Sequence, residues 1–170
     1  ALAKVLEKHP HVYVVSDEIY EHINFSGTFC SIGSIPGMLE RTITVNGVAK
    51  AFAMTGWRIG YIGAPEFIAK ACTKIQGQVT SGANSIAQRA TITAVEADPS
   101  VLNEMVSAFK NRRDLVVGLV NQIPGFKLNV PEGAFYVFPD VSYYFGKTVK
   151  GTEIKNATDF SMFLLAEANV

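Results

Sequence analysis

The sequence predicts an α/β fold, with a mixed, mostly parallel sheet in a large domain followed by the start of a smaller α+β domain. Short apolar runs, typical of strands buried on both faces, alternate with helical patterns over residues 1–99. A long helical pattern covers 100–123, and strand-like runs precede a final helix in 124–170. We therefore expect the C-terminal part of the large domain at 1–99, a connecting helix at 100–123 and the start of the small C-terminal domain at 124–170.

The first part contains three predicted strands and three predicted helices. The strands are expected at 12–15, 41–45 and 59–63. The first helix ends before Pro10, and the second begins at Pro65 and runs to about Val79, since proline is favoured in a first helical turn. The third is capped by Asn84 or Ser85, because short polar side chains accept hydrogen bonds from the free N–H groups of a helix start.

The second part begins with the long helix. Ser100 is its expected N-cap, and Pro124-Gly125 ends it. Two strand-like runs, 126–130 and 134–138, flank the turn 131–133 and predict a hairpin. Thr158 or Asp159 is expected to begin the final helix.

Composition excludes several kinds of partner. The formal net charge is zero, from 15 basic and 15 acidic residues, which gives no electrostatic reason to expect nucleic acid. No apolar run reaches the roughly 18 residues of a membrane span. Cys30 and Cys72 lack the number and spacing of a disulfide framework or a metal site, so we expect two thiols in a reducing, cytoplasmic compartment.

Polar residues follow the first predicted strand. Asp17 and Tyr20 lie in the run SDEIY (16–20), directly after the apolar run 12–15. Open α/β sheets bind ligands at the carboxyl ends of their strands, so these side chains are candidates for a site. The alternative is that Asp17 only caps a turn.

A second candidate region is an apolar run that contains Lys50 and Arg58. A lysine in apolar surroundings loses hydration, which favours the neutral and nucleophilic amine that Schiff-base chemistry requires. The planar guanidinium of Arg58 is suited to a phosphate. The alternative is an exposed lysine in a loop and an arginine reaching out from a strand end.

A third region is the hydroxyl-rich loop Thr80–Ser85, which opens a helix. Helix N-termini bind anions. Simple helix capping explains the same residues equally well.

Taken together, these motifs resemble the class I aminotransferases of pyridoxal-phosphate fold type I, and most of all the bacterial aspartate aminotransferases. The resemblance rests on SDEIY (16–20), the order Asn-Gly-x-x-Lys (46–50), MTGWRIGY (54–61), SIAQ (85–88) and PEGAFYVF (131–138). The spacing of eight from Lys50 to Arg58 and the block 54–61 are the most specific parts, and the resemblance spans residues 1–170.

The resemblance implies a role for each candidate residue. Lys50 would be the catalytic lysine that forms the Schiff base with pyridoxal 5'-phosphate and then moves the proton. Asp17 would pair with the protonated pyridine nitrogen, Tyr20 would hydrogen-bond the phenolic oxygen, and Arg58 would clamp the phosphate. The Thr80–Ser85 loop would lie near the two-fold axis of a homodimer.

Two departures from the family pattern qualify the resemblance. Many relatives carry a phosphate-binding hydroxyl one or three residues before the lysine, where this sequence has Ala49 and Gly47. The family's phosphate loop, its ring-stacking aromatic residue, its cofactor-binding asparagine and its carboxylate-binding arginine have no counterpart in these 170 residues. We therefore expect an internal fragment of a longer protein that is inactive in isolation.

The expected activity is transfer of an α-amino group between an amino acid and a 2-oxo acid, with aspartate and 2-oxoglutarate as the favoured pair. Alternatives with the same apparatus are an aromatic or alanine aminotransferase or a carbon–sulfur lyase. A non-enzymatic alternative is the ligand-sensing domain of a transcription regulator, although the block 54–61 favours the enzyme.

Overall fold

A computed structural model describes all residues, 1–170, and confirms a mixed α/β fold. The contacts divide the chain into two compact units, Ala1–Ser107 and Ala108–Val170. The largest fully buried side chains of the first unit belong to Ile23, Met38 and Val48, and that of the second belongs to Ile154. The predicted division into 1–99, 100–123 and 124–170 stays a prediction.

The first unit contains a three-stranded mixed sheet. Its strands are β1 (Val14–Asp17), β2 (Thr42–Gly47) and β3 (Gly60–Gly63), in the order β1-β2-β3. β1 runs parallel to β2, and β2 runs antiparallel to β3. The register therefore brings the carboxyl ends of β1 and β2 together at one edge of the sheet.

Two details of the predicted strands are wrong. β1 begins two residues later than predicted and includes Asp17, because Val14–Asp17 pairs in register with Thr42–Val45. Burial on both faces is also wrong for β1, since Val15 is 71% exposed. The main contacts of the sheet are between its own strands, so parts of its faces stay uncovered.

The helices of the first unit are α1 (Leu2–Leu6), α2 (Glu66–Val79) and α3 (Ser85–Glu96). Pro65 directly precedes α2, so its missing N–H costs the helix nothing. Of the two predicted caps of α3, Asn84 is the one used, and its Oδ1 accepts a hydrogen bond from the Ala87 N–H at 3.0 Å.

The long helix, α4 (Asn103–Val120), follows a 3₁₀ turn at Pro99–Leu102, and the boundary between the units falls within it. The prediction that Ser100 caps this helix is wrong. Asp98 is the capping residue of the 3₁₀ turn, and its Oδ1 accepts from the Ser100 N–H at 2.8 Å. The capping residue before the long helix is therefore Asp98, which precedes Pro99, and not Ser100.

The second unit also contains a hairpin, at a different place from the predicted one. Residues 126–130 and 134–138 form no strands, and Lys127 forms an isolated antiparallel bridge with Asp140. The observed hairpin joins β4 (Lys147–Val149) to β5 (Thr152–Ile154). Its two-residue turn, Lys150-Gly151, has positive φ at both positions, which matches the twist of an antiparallel pair.

The final helix, α5 (Ala157–Ala168), begins earlier than predicted. Its N-cap is Asn156, whose side-chain oxygen accepts from the Asp159 N–H at 3.0 Å, so neither Thr158 nor Asp159 is the cap. The Asp159 carboxylate accepts in turn from the Lys155 N–H at 3.0 Å. None of the helices has both the length and the apolar character needed to cross a membrane.

Candidate active site

Lys50 lies in a tight turn that begins where β2 ends. The Phe52 N–H donates to the Val48 carbonyl and the Ala53 N–H donates to the Lys50 carbonyl, both at 3.3 Å. Val48 is fully buried and Ala51 is 3% exposed, whereas Lys50 is half-buried. Buried apolar neighbours therefore fix the backbone on both sides of the lysine.

Tyr20 follows β1 and lies beside the lysine. The Lys50 amine is 5.8 Å from the centroid of the Tyr20 ring, within the range of a cation–π contact. The two residues are 30 positions apart in the chain. The parallel pairing of β1 with β2 brings them together, because both follow the carboxyl end of a strand in this pair.

Asp17 is the last residue of β1, in register with Val45 of β2. Its side chain is exposed, and Oδ1 accepts a hydrogen bond from the Ile19 N–H at 3.2 Å. Oδ1 of Asp17 thus caps a turn, as the alternative interpretation of this residue predicted. A carboxylate has about four acceptor sites, so this contact leaves capacity for another donor.

Gly47 explains why a hydroxyl-bearing residue is absent three positions before the lysine. A Cβ at this position would lie 2.7 Å from the Ile59 carbonyl oxygen and 3.1 Å from the Gly60 Cα. Both neighbours are backbone and have little room to shift. The close approach of β2 to β3 therefore leaves no room for a side chain at position 47 unless the backbone shifts.

Arg58 follows a 3₁₀ turn at Thr55–Trp57 and has left-handed backbone geometry, with φ of 56°. A residue other than glycine adopts this conformation at a cost of about 1–2 kcal/mol. The Arg58 Nη1 donates to the Thr55 carbonyl at 2.9 Å, which holds the exposed side chain against its own turn. The remaining guanidinium N–H groups include a pair suited to an anion.

Arg58 also lines an open groove with a volume of about 1360 Å³. Residues 80–84, from the hydroxyl-rich loop before α3, line the same groove, as does Tyr61. The structure thus brings two of the predicted regions together. Lys50, Asp17 and Tyr20 are not among the groove's lining residues.

Sequence reasoning missed two acidic residues next to these candidates. Glu18 is only 7% exposed and accepts hydrogen bonds from the hydroxyls of Ser16 at 3.0 Å and Ser31 at 2.8 Å. Glu21 accepts from Asn46 Nδ2 at 2.8 Å and lies 3.2 Å from His22 Nε2. The SDEIYE run contains three acids in five residues, and nothing in it distinguishes the exposed Asp17 from the buried Glu18.

Tyr61 connects this acidic region to β3. Partial burial raises the pKa of its phenol, and the nearby negative charge of Glu21 raises it further. Both effects oppose a second negative charge beside the carboxylate. The phenol of Tyr61 is therefore neutral at physiological pH.

Comparisons with known proteins bear on the whole chain. The sequence model of the family "Aminotransferase class I and II" matches residues 1–170. A bifunctional aspartate aminotransferase and glutamate/aspartate-prephenate aminotransferase of Petunia hybrida is 47% identical over 99% of this chain and 36% of its own length. An aspartate aminotransferase of Rhizobium meliloti is 46% identical over 99% of this chain and 42% of its own length.

Solved structures agree with the sequence relatives. The crystal structure of the aspartate aminotransferase from Rhizobium meliloti superimposes with a TM-score of 0.93, at 46% identity, over 99% of this chain and 43% of that one. An aromatic aminotransferase from Pyrococcus horikoshii superimposes with a TM-score of 0.86 at 36% identity, over 99% of this chain and 43% of that one. The aspartate aminotransferases of this family are transaminases that use pyridoxal phosphate. The chain spans about two fifths of the length of these relatives, and it belongs to the class I and II aminotransferase family.

Proposed function

We propose that the full-length protein is a pyridoxal-phosphate-dependent aminotransferase that moves the α-amino group of aspartate to 2-oxoglutarate. The observation that carries this proposal is the Lys50 amine beside the Tyr20 ring, in a turn fixed by buried neighbours. The relatives from Petunia and Rhizobium are named as aspartate aminotransferases, which supports both the enzyme class and the substrate pair. The same names favour an enzyme over a ligand-sensing domain.

The donor set of the first unit fits the chemistry of the cofactor. An amine, a carboxylate, a phenol and a guanidinium match in turn an aldehyde, a pyridine nitrogen, a phenolic oxygen and a phosphate. Lys50, Asp17, Tyr20 and Arg58 supply these groups from the ends of β1 and β2 and the start of β3. When bound, the cofactor supplies an electron sink that the protein's side chains lack.

Lys50 is the group that moves the proton in this proposal. Its Nζ would take up the proton of the substrate Cα and give it back on the cofactor side, and the position of this half-buried amine beside the Tyr20 ring supports that role. The Tyr20 hydroxyl orients the cofactor's oxygen. Asp17 holds the pyridinium through a carboxylate oxygen not used by Ile19.

Arg58 anchors the phosphate with the N–H groups that do not bond Thr55. The backbone contact that excludes a side chain at position 47 also excludes a hydroxyl ligand there. Ala49 provides none either. Arg58 therefore carries more of the phosphate binding in this protein than in relatives with those hydroxyls.

Further parts of the proposal concern the protein as a whole. Residues 1–99 are proposed to belong to the large cofactor-binding domain, 100–123 to the connecting helix and 124–170 to the small domain. We also propose a cytoplasmic homodimer in which the Thr80–Ser85 loop lies near the two-fold axis. A bacterial relative, the aspartate aminotransferase of Rhizobium meliloti, matches 99% of the chain and supports a bacterial type of enzyme.

A second oxo-acid substrate follows from the name of one relative. The Petunia enzyme acts on prephenate as well as aspartate, at 47% identity to this chain. Prephenate is therefore a second candidate acceptor for the full-length protein. Assays with 2-oxoglutarate and prephenate, each with aspartate as donor, distinguish the two.

The proposal is tested by removing the lysine from the full-length protein. We expect Lys50→Ala to lower aspartate turnover by at least about 10³-fold, because the proton-transfer and covalent roles are lost together. Lys74→Ala, at an exposed position of α2, is the matched control and should keep its activity. Retention of turnover in Lys50→Ala would overturn the proposal.

A further inference from the structure

Three consecutive residues contact the segment that holds Lys50. We define the lysine turn as residues 46–53. The Tyr20 ring lies 5.8 Å from the Lys50 amine, and Glu21 accepts a hydrogen bond from Asn46 at 2.8 Å. The His22 ring lies 6.3 Å from the ring of Phe52, in an edge-to-face arrangement. Glu21 thus contacts the lysine turn before the lysine, Tyr20 contacts the lysine itself, and His22 contacts the turn after it.

The contact between Glu21 and Asn46 reaches the backbone of the turn. Asn46 donates through Nδ2 to the Glu21 carboxylate, and its Oδ1 accepts from the Gly47 N–H at 2.7 Å. The Asn46 amide therefore links the carboxylate to the residue where β2 ends and the turn begins. The two partners are 25 residues apart in the chain, so this link depends on the tertiary fold.

Glu21 lies in a confined environment. Its side chain is 29% exposed, and its charge acts on Tyr61, which pairs with Asn46 across β2 and β3. A hydrogen bond to a charged acceptor is stronger than one between neutral groups, particularly away from bulk water. The Glu21–Asn46 bond is therefore suited to fixing the orientation of the Asn46 amide.

We propose that Glu21 is a positioning residue, which acts through Asn46 and Gly47 to hold the lysine turn so that Lys50 stays beside Tyr20. This inference rests on the proposed function, since it concerns the residue assigned to proton transfer. A lysine side chain loses much conformational entropy when it is held in one position. A fixed backbone reduces the entropy that must still be lost when Lys50 is ordered during turnover. A displacement of about 1 Å at a reacting group lowers rates by up to about 10²-fold.

The test uses variants of the full-length protein. Glu21→Ala and Asn46→Ala are each expected to lower kcat by about 10-fold to 10²-fold while the KM for aspartate changes little, because binding groups stay in place. Glu21→Gln keeps an acceptor oxygen and should restore most of kcat. The double variant should be no slower than either single variant, since the two residues act as a unit.

A second readout does not depend on turnover. In the cofactor-free protein, we expect Glu21→Ala to speed hydrogen exchange at the Phe52 and Ala53 amides, whose acceptors are the Val48 and Lys50 carbonyls. Amides of α3 should keep their wild-type exchange. Glu66→Ala is the matched control, because Glu66 is 79% exposed and pairs only with Lys70.

Several outcomes would overturn the inference. The positioning role is contradicted if Glu21→Ala has the same kcat and the same hydrogen exchange as Glu66→Ala. It is also contradicted if Glu21→Ala raises hydrogen exchange uniformly over the whole first unit. Should Glu21→Ala fail to fold, Asn46→Ala decides between the same results. Lys50→Ala separates the two proposals. If Lys50→Ala keeps its turnover, the proposed function is wrong. If Lys50→Ala is inactive while Glu21→Ala is unimpaired, only the positioning role of Glu21 is wrong.

Discussion

Gly47 shows how one residue shapes the candidate site. It ends β2 just before the lysine turn, and a Cβ there would meet the Ile59 carbonyl oxygen at 2.7 Å. The backbone contact explains a departure from the family pattern that the sequence alone leaves unexplained. Position 47 requires glycine because a side chain has no room there, and not because of its backbone conformation, since the φ of Gly47 is not positive.

We expect Gly47→Ala to lower the free energy of unfolding by about 1–3 kcal/mol, because the methyl group overpacks rigid backbone. Gly77→Ala, within α2, is the matched control and should raise it by about 0.5–1 kcal/mol, since no atom lies within 4 Å of the added Cβ and alanine favours helix. Chemical denaturation of the full-length variants measures both changes. A stabilising Gly47→Ala would contradict the contact.

The sequence was informative for residues whose type is unusual in its surroundings. Lys50 and Arg58 stand out as charges in an apolar run, and the structure places Lys50 beside Tyr20, which the sequence placed after a strand. Glu18 and Glu21 could not be predicted, because their partners Ser31 and Asn46 are 13 and 25 residues away. Only the tertiary fold brings these partners together.

At the scale of elements, local chemistry predicted the start of α3 but not the hairpin of the second unit. Asn84 caps α3 through a bond to a residue three positions later, which a sequence window contains. A hairpin needs two segments to agree in register and turn geometry. The run 126–138 has apolar residues but forms no strand, and Ala134 within it has a φ of 57°, whereas Lys150-Gly151 supplies the two positive φ angles of a tight turn.

We expect Asn84→Ala to lower the free energy of unfolding by about 1 kcal/mol, because the Ala87 N–H loses its acceptor. Asn84→Asp keeps an acceptor oxygen and should cost only a few tenths of that. Thermal or chemical unfolding of the full-length variants measures the difference. Equal destabilisation by both substitutions would show that the cap contributes nothing.

The Asp140 turn predicts an acid-dependent contribution to stability. The Ser142 N–H, 2.8 Å from Asp140 Oδ1, is the main cause that lowers the pKa of this carboxyl, and the Ser142 hydroxyl and Lys127 lower it further. A lowered folded-state pKa means that the contribution is present above the ordinary value of about 3.9 and is lost as the pH falls through the folded-state value.

We therefore expect the stability of the wild type to fall more steeply than that of Asp140→Asn as the pH drops below about 4. Unfolding midpoints of both full-length proteins, measured in steps from neutral to acidic pH, give the comparison. Parallel curves over this range would contradict the assigned hydrogen bonds.

At the scale of the whole molecule, the chain carries only part of what its relatives carry. It spans 36–43% of the length of the Petunia and Rhizobium proteins, and large apolar side chains such as Phe138 and Val79 are 95% and 72% exposed. The proposed cofactor ligands all lie in the first unit. The proposed activity therefore belongs to the full-length protein.

We expect the isolated 170 residues to show no transfer from aspartate to 2-oxoglutarate, because the relatives that carry this activity are more than twice as long. A coupled assay of oxaloacetate formation measures this, with the full-length protein as the positive control. Turnover by the isolated chain would show that these residues form a complete site.

Borohydride reduction followed by peptide mapping tests whether Lys50 is the residue that binds the cofactor covalently. The full-length protein is loaded with pyridoxal 5'-phosphate, reduced with borohydride, digested and sequenced by mass spectrometry. We expect a single phosphopyridoxyl label on Lys50, absent from Lys50→Arg and kept in Lys74→Arg. A label on another lysine, or none in a cofactor-loaded sample, would contradict it.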